Sequence, residues 1–240
     1  MTTRQWNPIA LTPMHSRQLA LGASMTIRNG WMRVSRYTTG VDEETDVIQR
    51  AAGIADVSHR GKLRLQGTSI PERLKEMGIT VPEIGHAIRL PLKIGDASMV
   101  VSIARLSEEE AAITTGAFQA SQVIDAIGET DDSCLHAIDV SSALACIRVI
   151  GPSAHKVLTS ITEVDLDPVV FPNMHCLQGM FAGIQGMLIR VDSGSIPSYG
   201  LYYGREFGEH VWDTLLLEAA WLGARPVGFE SLLKIGSGTN

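Results

Sequence analysis

The chain has 240 residues, 45% of them hydrophobic and 19% charged, with a formal net charge of −6. That length and composition suit a soluble globular protein with a buried core in one large or two small domains. The acidic balance without any Lys/Arg block speaks against nucleic acid as a main partner, no apolar run approaches the ~20 residues that span a bilayer, and the opening residues carry no signal-peptide apolar region.

Residues 42–52 read as a helix whose acidic start complements the helix dipole and which Gly53 stops. The densest polar segment follows, Gly53-Ile54-Ala55-Asp56-Val57-Ser58-His59-Arg60-Gly61, and it runs into residues 62–66, which alternate as a strand does. Residues 70–77 form a short helix with Pro71 in its first turn and Gly78 past its end. Residues 87–94 alternate again, and Pro91 marks an edge strand or a broken one. Residues 99–106 and 111–115 flank Ser107-Glu108-Glu109-Glu110, a solvated hairpin tip. Residues 117–127 read as a helix, 138–141 and 143–150 as strands, and 151–158 as a turn entering a helix. Residues 179–186 and 187–191 read as paired strands and 199–203 as another. Residues 208–222 give the clearest helix, with Val211, Leu215, Ala219 and Leu222 on one face. Neighbouring strands with intervening helices predict an α+β fold rather than a wound α/β sheet.

Cys134, Cys146 and Cys176 form no C-x-x-C pair, and their odd number and wide spacing fit reduced thiols in a cytoplasmic protein. His136, His155 and His175 lack metal-ligand spacing, so no metal site is expected. Ser141, Ser142 and Ser153 lack a His/Asp context, and Gly194-Ser195 lacks the surroundings of a phosphate loop. Asp56 and His59 are candidates for proton transfer, with turn capping as the alternative role for Asp56 and Ser58. The guanidinium of Arg60 suits an anionic or planar ligand, or else the surface. Tyr37 and Tyr199 are candidates to flank a ring, or to fill a core, and Arg190 to hold a carboxylate.

The segment from Gly53 to Gly61 resembles the G-x-x-D-V-S-H-x-G block of the T-protein of the glycine cleavage system, an aminomethyltransferase. Upstream, Thr12-Pro13-Met14-His15, Ala20-Leu21-Gly22-Ala23, Gly30-Trp31-Met32 and Arg36-Tyr37 follow in that family's order and approximate spacing. Downstream, Ile147-Arg148-Val149-Ile150-Gly151-Pro152-Ser153-Ala154, residues 212–223 and residues 226–234 resemble later segments, so the likeness spans nearly the whole chain. It implies a T-protein-like folate-binding fold of two mixed sheet-and-helix units, residues 1–50 with 141–240 and residues 51–140, with the ligand between them. It also implies transfer of a methyl or aminomethyl group from a small-molecule donor to tetrahydrofolate, by a transferase or a demethylase. Such chemistry needs a carboxylate near the pterin, an apolar or aromatic slot for the ring, and cations for the glutamate tail.

On that footing Asp56, His59 and Asp96 are the catalytic candidates, and Tyr37, Arg60, Arg190, Tyr199 and Glu230 the cofactor-binding ones. The family's acidic pair falls on Met99 and Val100, leaving Asp96 as the nearby carboxylate. Its two glutamates fall on Ile196 and Gly200, its arginine before S-L on Glu230, and its L-R-x-E on Leu233-Lys234-Ile235-Gly236. These departures leave open a folate-independent enzyme on the same fold, or a non-catalytic subunit of a larger complex. T-proteins continue into a C-terminal β-barrel domain that has no counterpart after Leu233. A homo-oligomer or a protein partner is therefore expected, in contact near the C-terminal helix and residues 199–203.

Overall fold

A computed structural model describes residues 8–128 and 134–236. The chain opens with β1 (Ala10–Leu11), α1 (His15–Ala20), β2 (Ser24–Arg28), β3 (Trp31–Arg36) and α2 (Val41–Arg50). It continues through β4 (Gly53–Asp56), β5 (Gly61–Gln66), α3 (Ile70–Glu76), β6 (Ala87–Ile94), β7 (Ala97–Arg105), β8 (Glu110–Thr115), α4 (Ala120–Ile127) and β9 (His136–Asp139). The last part holds β10 (Leu144–Ile150), α5 (Ala154–Thr159), β11 (Cys176–Phe181), β12 (Ile184–Arg190), β13 (Ser198–Gly204), α6 (Gly208–Ala219), β14 (Arg225–Pro226) and α7 (Phe229–Lys234). The fold is α+β, as the sequence predicts.

Three sheets result. A small N-terminal sheet has the order β1-β3-β2, a six-stranded sheet β11-β12-β13-β10-β4-β14, and a five-stranded sheet β6-β7-β8-β5-β9. Residues 57–60 therefore cross from one large sheet to the other, because β4 ends in the first and β5 begins in the second. Residues 140–143 cross back, so two neighbouring strands of the sequence reading belong to different sheets.

Each large sheet has its own core. Val211, Trp212, Leu215 and Ala219 of α6 join Val157 and Leu158 of α5 against Ile147, Leu188 and Leu201 of the six-stranded sheet. Leu74 of α3 and Val123 and Ile127 of α4 pack on Leu63, Leu65, Ile103 and Ile113 of the five-stranded sheet. A third cluster joins the sheets, with Val57, Cys146, Ile189 and Tyr202 meeting Ala87 and Ala104. Glu44 of α2 is buried at 2% exposure. Its carboxylate accepts from the backbone N–H of Tyr37 (2.5 Å), the backbone N–H of Gly228 (2.8 Å) and the hydroxyl of Ser231. A residue of the acidic helix start thus locks α2 to the end of β3 and to α7.

Local chemistry explains the remaining differences from the sequence reading. The β11–β12 hairpin turns at Ala182-Gly183, not after Gly186, because both turn residues take positive φ (50° and 75°), the geometry of a tight two-residue hairpin. Asn29-Gly30 closes the β2–β3 hairpin in the same way, at φ 49° and 65°. Helix α4 starts at Ala120 rather than residue 117, since Phe118 sits at φ 59°. Pro91 does not break β6, which is an edge strand paired only to β7, so no ladder hydrogen bond is lost on an inner side. Strand β13, expected near an intermolecular contact, lies inside its sheet between β12 and β10, with Tyr199, Leu201, Tyr202 and Tyr203 buried. Among the described residues no helix is long and apolar enough to cross a membrane.

Candidate functional site

The crossing between the sheets is the polar block singled out by the sequence. One oxygen of the Asp56 carboxylate accepts from the backbone N–H of Ser58 (2.9 Å) and the other from the Gln18 amide (2.8 Å). The backbone N–H of Cys146 donates to the Ser58 hydroxyl (3.0 Å), and the N–H of Val57 donates to the Cys146 carbonyl (2.9 Å). From below, the Lys62 ammonium donates to the carbonyls of Ser58 (2.7 Å) and Arg60 (2.9 Å). Burial brings the Lys62 pKa down to about 8. The turn is thus fixed on both sides, and it aims His59 and Arg60 from fixed backbone.

His59 is buried at 7% exposure, and its Nε2 meets Nη1 of Arg33. Arg33 is itself lowered, to about 10, by burial and by Arg28 and Arg60. It still carries its proton at neutral pH, so the guanidinium donates and the His59 Nε2 accepts. The ring proton then sits on Nδ1, which has no hydrogen-bond partner in the structure. Burial, with Arg33, Arg60, Lys62 and Arg148 adding, holds the His59 pKa well below the usual 6.5. Tyr37 is buried nearby with its hydroxyl unpartnered, and burial, then Asp56 and Glu44, push its phenol pKa up.

Arg60 opens onto a cavity of about 40 Å³ between the two large sheets, which it lines together with Arg89, Ser102, Thr114, Arg148 and Tyr202. Val100 and Gly200, two positions where the resemblance calls for a carboxylate, also line it. Gly200 stands directly across from Arg148 in the β10–β13 register. No Asp or Glu is among its described lining residues. A second hollow, of about 300 Å³, shares Thr114 and Tyr202 with the first and is walled by Leu63, Ile113, Met187 and Tyr203, with Lys62 and Glu110 at its polar edge. Glu110 accepts from Arg64 (2.6 Å) and Gln178 (3.1 Å).

The other expected site residues lie elsewhere. Arg190 and Tyr199 point to the opposite face of β12 and β13, since Ile189, Ser198 and Gly200 are the residues that face the cavity. There Arg190 grips Asp192 with two hydrogen bonds of 3.0 Å and the Phe171 carbonyl at 2.7 Å, so it holds a carboxylate of the chain itself. Tyr199 is fully buried in the core of the six-stranded sheet, stacked 6.3 Å from Phe171. Asp96 is exposed at the turn between β6 and β7. Glu230 on α7 accepts from the Ser35 hydroxyl and pairs with Arg36 at 3.5 Å. The expected set therefore splits. Tyr37, Asp56, His59 and Arg60 cluster at the crossing, while Arg190, Tyr199, Asp96 and Glu230 do not join them. Arg33, Arg89 and Arg148 were not among the sequence candidates. The available signal was a lone charge inside an apolar strand, as in Ile147-Arg148-Val149. Among the described residues no group of three His, Cys, Asp or Glu could hold a metal ion.

Comparison with known proteins agrees with this architecture. An aminomethyltransferase of Saccharopolyspora erythraea is 30% identical over 225 residues, and one of Desulforamulus reducens 27% identical over 222 residues. Each alignment covers 90% of this chain and 60% of the relative, so the chain spans three fifths of their length. The aminomethyltransferase T of Bartonella henselae superposes with a TM-score of 0.79 at 16% identity, over 93% of this chain and 60% of that one. A chain of the heterotetrameric sarcosine oxidase of Corynebacterium sp. U-96 gives a TM-score of 0.61 at 17% identity, over 89% of this chain and 96% of that one. The GCVT N-terminal domain family matches residues 14–236, and the chain belongs to that family.

Proposed function

We propose that this chain takes part in tetrahydrofolate-dependent one-carbon transfer, moving a methyl or aminomethyl group from a small-molecule donor. Membership of the GCVT N-terminal domain family carries the reading. The hollow of about 300 Å³ supports it, since it offers an apolar and aromatic wall with the Glu110 carboxylate at its edge, the surroundings a pterin ring needs. In this reading Asp56 fixes the turn, and the neutral His59 keeps one ring N–H, on Nδ1, as a hydrogen-bond donor. The chain divides into two units that follow the two large sheets, with the cut after Asp56 rather than at residue 51, because β4 pairs with β10 and β14. The free thiols of Cys134, Cys146 and Cys176 support a cytoplasmic setting.

Calorimetric titration of the purified chain with tetrahydrofolate tests the reading. Saturable heat is expected, weakened about tenfold in Glu110→Gln by loss of a charge-assisted hydrogen bond. One observation favours a second reading, a subunit without catalysis of its own. Two of the positions expected to carry pterin-binding carboxylates, Val100 and Gly200, line the cavity without one. The likeness to nearly all of one chain of a heterotetrameric enzyme supports the same reading. Absence of tetrahydrofolate heat, together with a defined complex with a second chain on analytical ultracentrifugation, would replace the first reading with this one.

A further inference from the structure

The cavity between the sheets gathers the guanidinium groups of three separate elements: Arg60 from the crossing turn, Arg89 from β6 and Arg148 from β10. Its described lining holds three positive side chains and no negative one. A recess of one charge sign with low-dielectric walls focuses its field on whatever enters. The arginines feel one another. Burial, then Arg60, brings Arg148 down to about 9, and burial, then Arg60, lowers Arg89 as well. The same positive field reaches Arg33 and His59 behind the turn. Gly200 puts no side chain across from Arg148, and Ser102 and Thr114 add hydroxyl donors to the wall.

We propose that this cavity binds a small oxyanion, of the size of inorganic phosphate or of a single carboxylate group. Planar guanidinium forks match two oxygens at once, and arginines from different strands present such forks from several directions. The size agrees. A water needs about 10–15 Å³ of such volume, so a cavity of about 40 Å³ holds roughly three waters, or one oxyanion, and not a bicyclic ring. The inference goes beyond the folate reading and does not depend on it. The oxyanion has two possible sources, a free small anion or the carboxylate end of a larger ligand such as the glutamate tail of a folate.

The test is calorimetry on the full chain at low ionic strength with sodium phosphate, sodium acetate and, separately, tetrahydrofolate, against sodium chloride as control. Phosphate or acetate is expected to bind saturably. Binding should weaken about tenfold in Arg89→Gln and in Arg148→Gln, and Arg89→Lys should restore part of it. Arg89 is exposed, so its substitution leaves the fold intact, which the unfolding midpoint checks. Competition between phosphate and tetrahydrofolate would assign the site to the folate tail, whereas phosphate binding without competition would assign it to a free anion. Heat no greater than with chloride, or equal phosphate affinity in both arginine variants and the parent, overturns the proposal. Phosphate binding with no tetrahydrofolate binding keeps this proposal and removes the folate reading, and the reverse pattern does the opposite.

Discussion

His59 stays neutral because burial, and after it four cationic side chains, oppose its protonation, and that has a sign in pH. In the unfolded chain a histidine takes up its proton below about 6.5, while in the fold His59 does not. The unfolded state then binds more protons, so stability falls as pH drops below 6.5 and is fully present above it. The slope approaches about 1.4 kcal/mol per pH unit for one such group. Replacing His59 with Gln keeps an oxygen for Arg33 to donate to and removes the titration. Urea unfolding between pH 5 and pH 8 should show a flatter acid limb in His59→Gln. An identical limb in both proteins would mean that His59 takes up its proton in the fold as readily as in the unfolded chain. At this scale Asp56, His59 and Arg60 were legible as a polar cluster, whereas Glu44 was not. Its burial depends on Gly228 and Ser231, almost two hundred residues away, and nothing around Glu44 in the sequence announces them.

The crossing turn is the element on which the site depends, and Gly61, where it enters β5, allows no side chain. A Cβ on Gly61 would stand 2.1 Å from Thr115 Oγ1 and 3.0 Å from the Gly116 carbonyl. Gly61→Ala should therefore destabilise by about 1–3 kcal/mol through overpacking where β5 meets β8. Adding Thr115→Ala, which removes the nearest atom, should recover part of the loss, and chemical unfolding of the two variants measures it. Failure of the second substitution to recover anything would place the strain on the backbone of Gly116. The strand and helix periods of β5, α3, β7 and α6 were legible because one face of each meets a core. The β11–β12 turn was misplaced because the positive φ at Ala182 comes from an alanine, a residue type that does not signal it.

Across the whole molecule, the two large sheets have separate cores and share a third cluster around Cys146, Ile189 and Tyr202. That shared burial predicts a single cooperative transition. Tryptophan fluorescence reports Trp6, Trp31, Trp221 and Trp212, the last beneath the six-stranded sheet, while the segment that builds the five-stranded sheet contains no tryptophan. Far-UV circular dichroism reports both. The two midpoints in urea should coincide, and a circular dichroism transition that outlasts or precedes the fluorescence change would show that the sheets unfold independently.

The sequence by itself determined the α+β class, most of the strands and helices, the resemblance to T-proteins and the place of the Asp56–Gly61 block. Those features rest on local periodicity, turn chemistry and residue order, all of which are written in short windows. Only the tertiary structure decided which charges meet. Arg60, Arg89 and Arg148 come from three elements and converge because β4 and β5 belong to different sheets. Arg190 and Tyr199 were excluded from that cavity by the alternation of β12 and β13, where one residue of register decides which face a side chain takes.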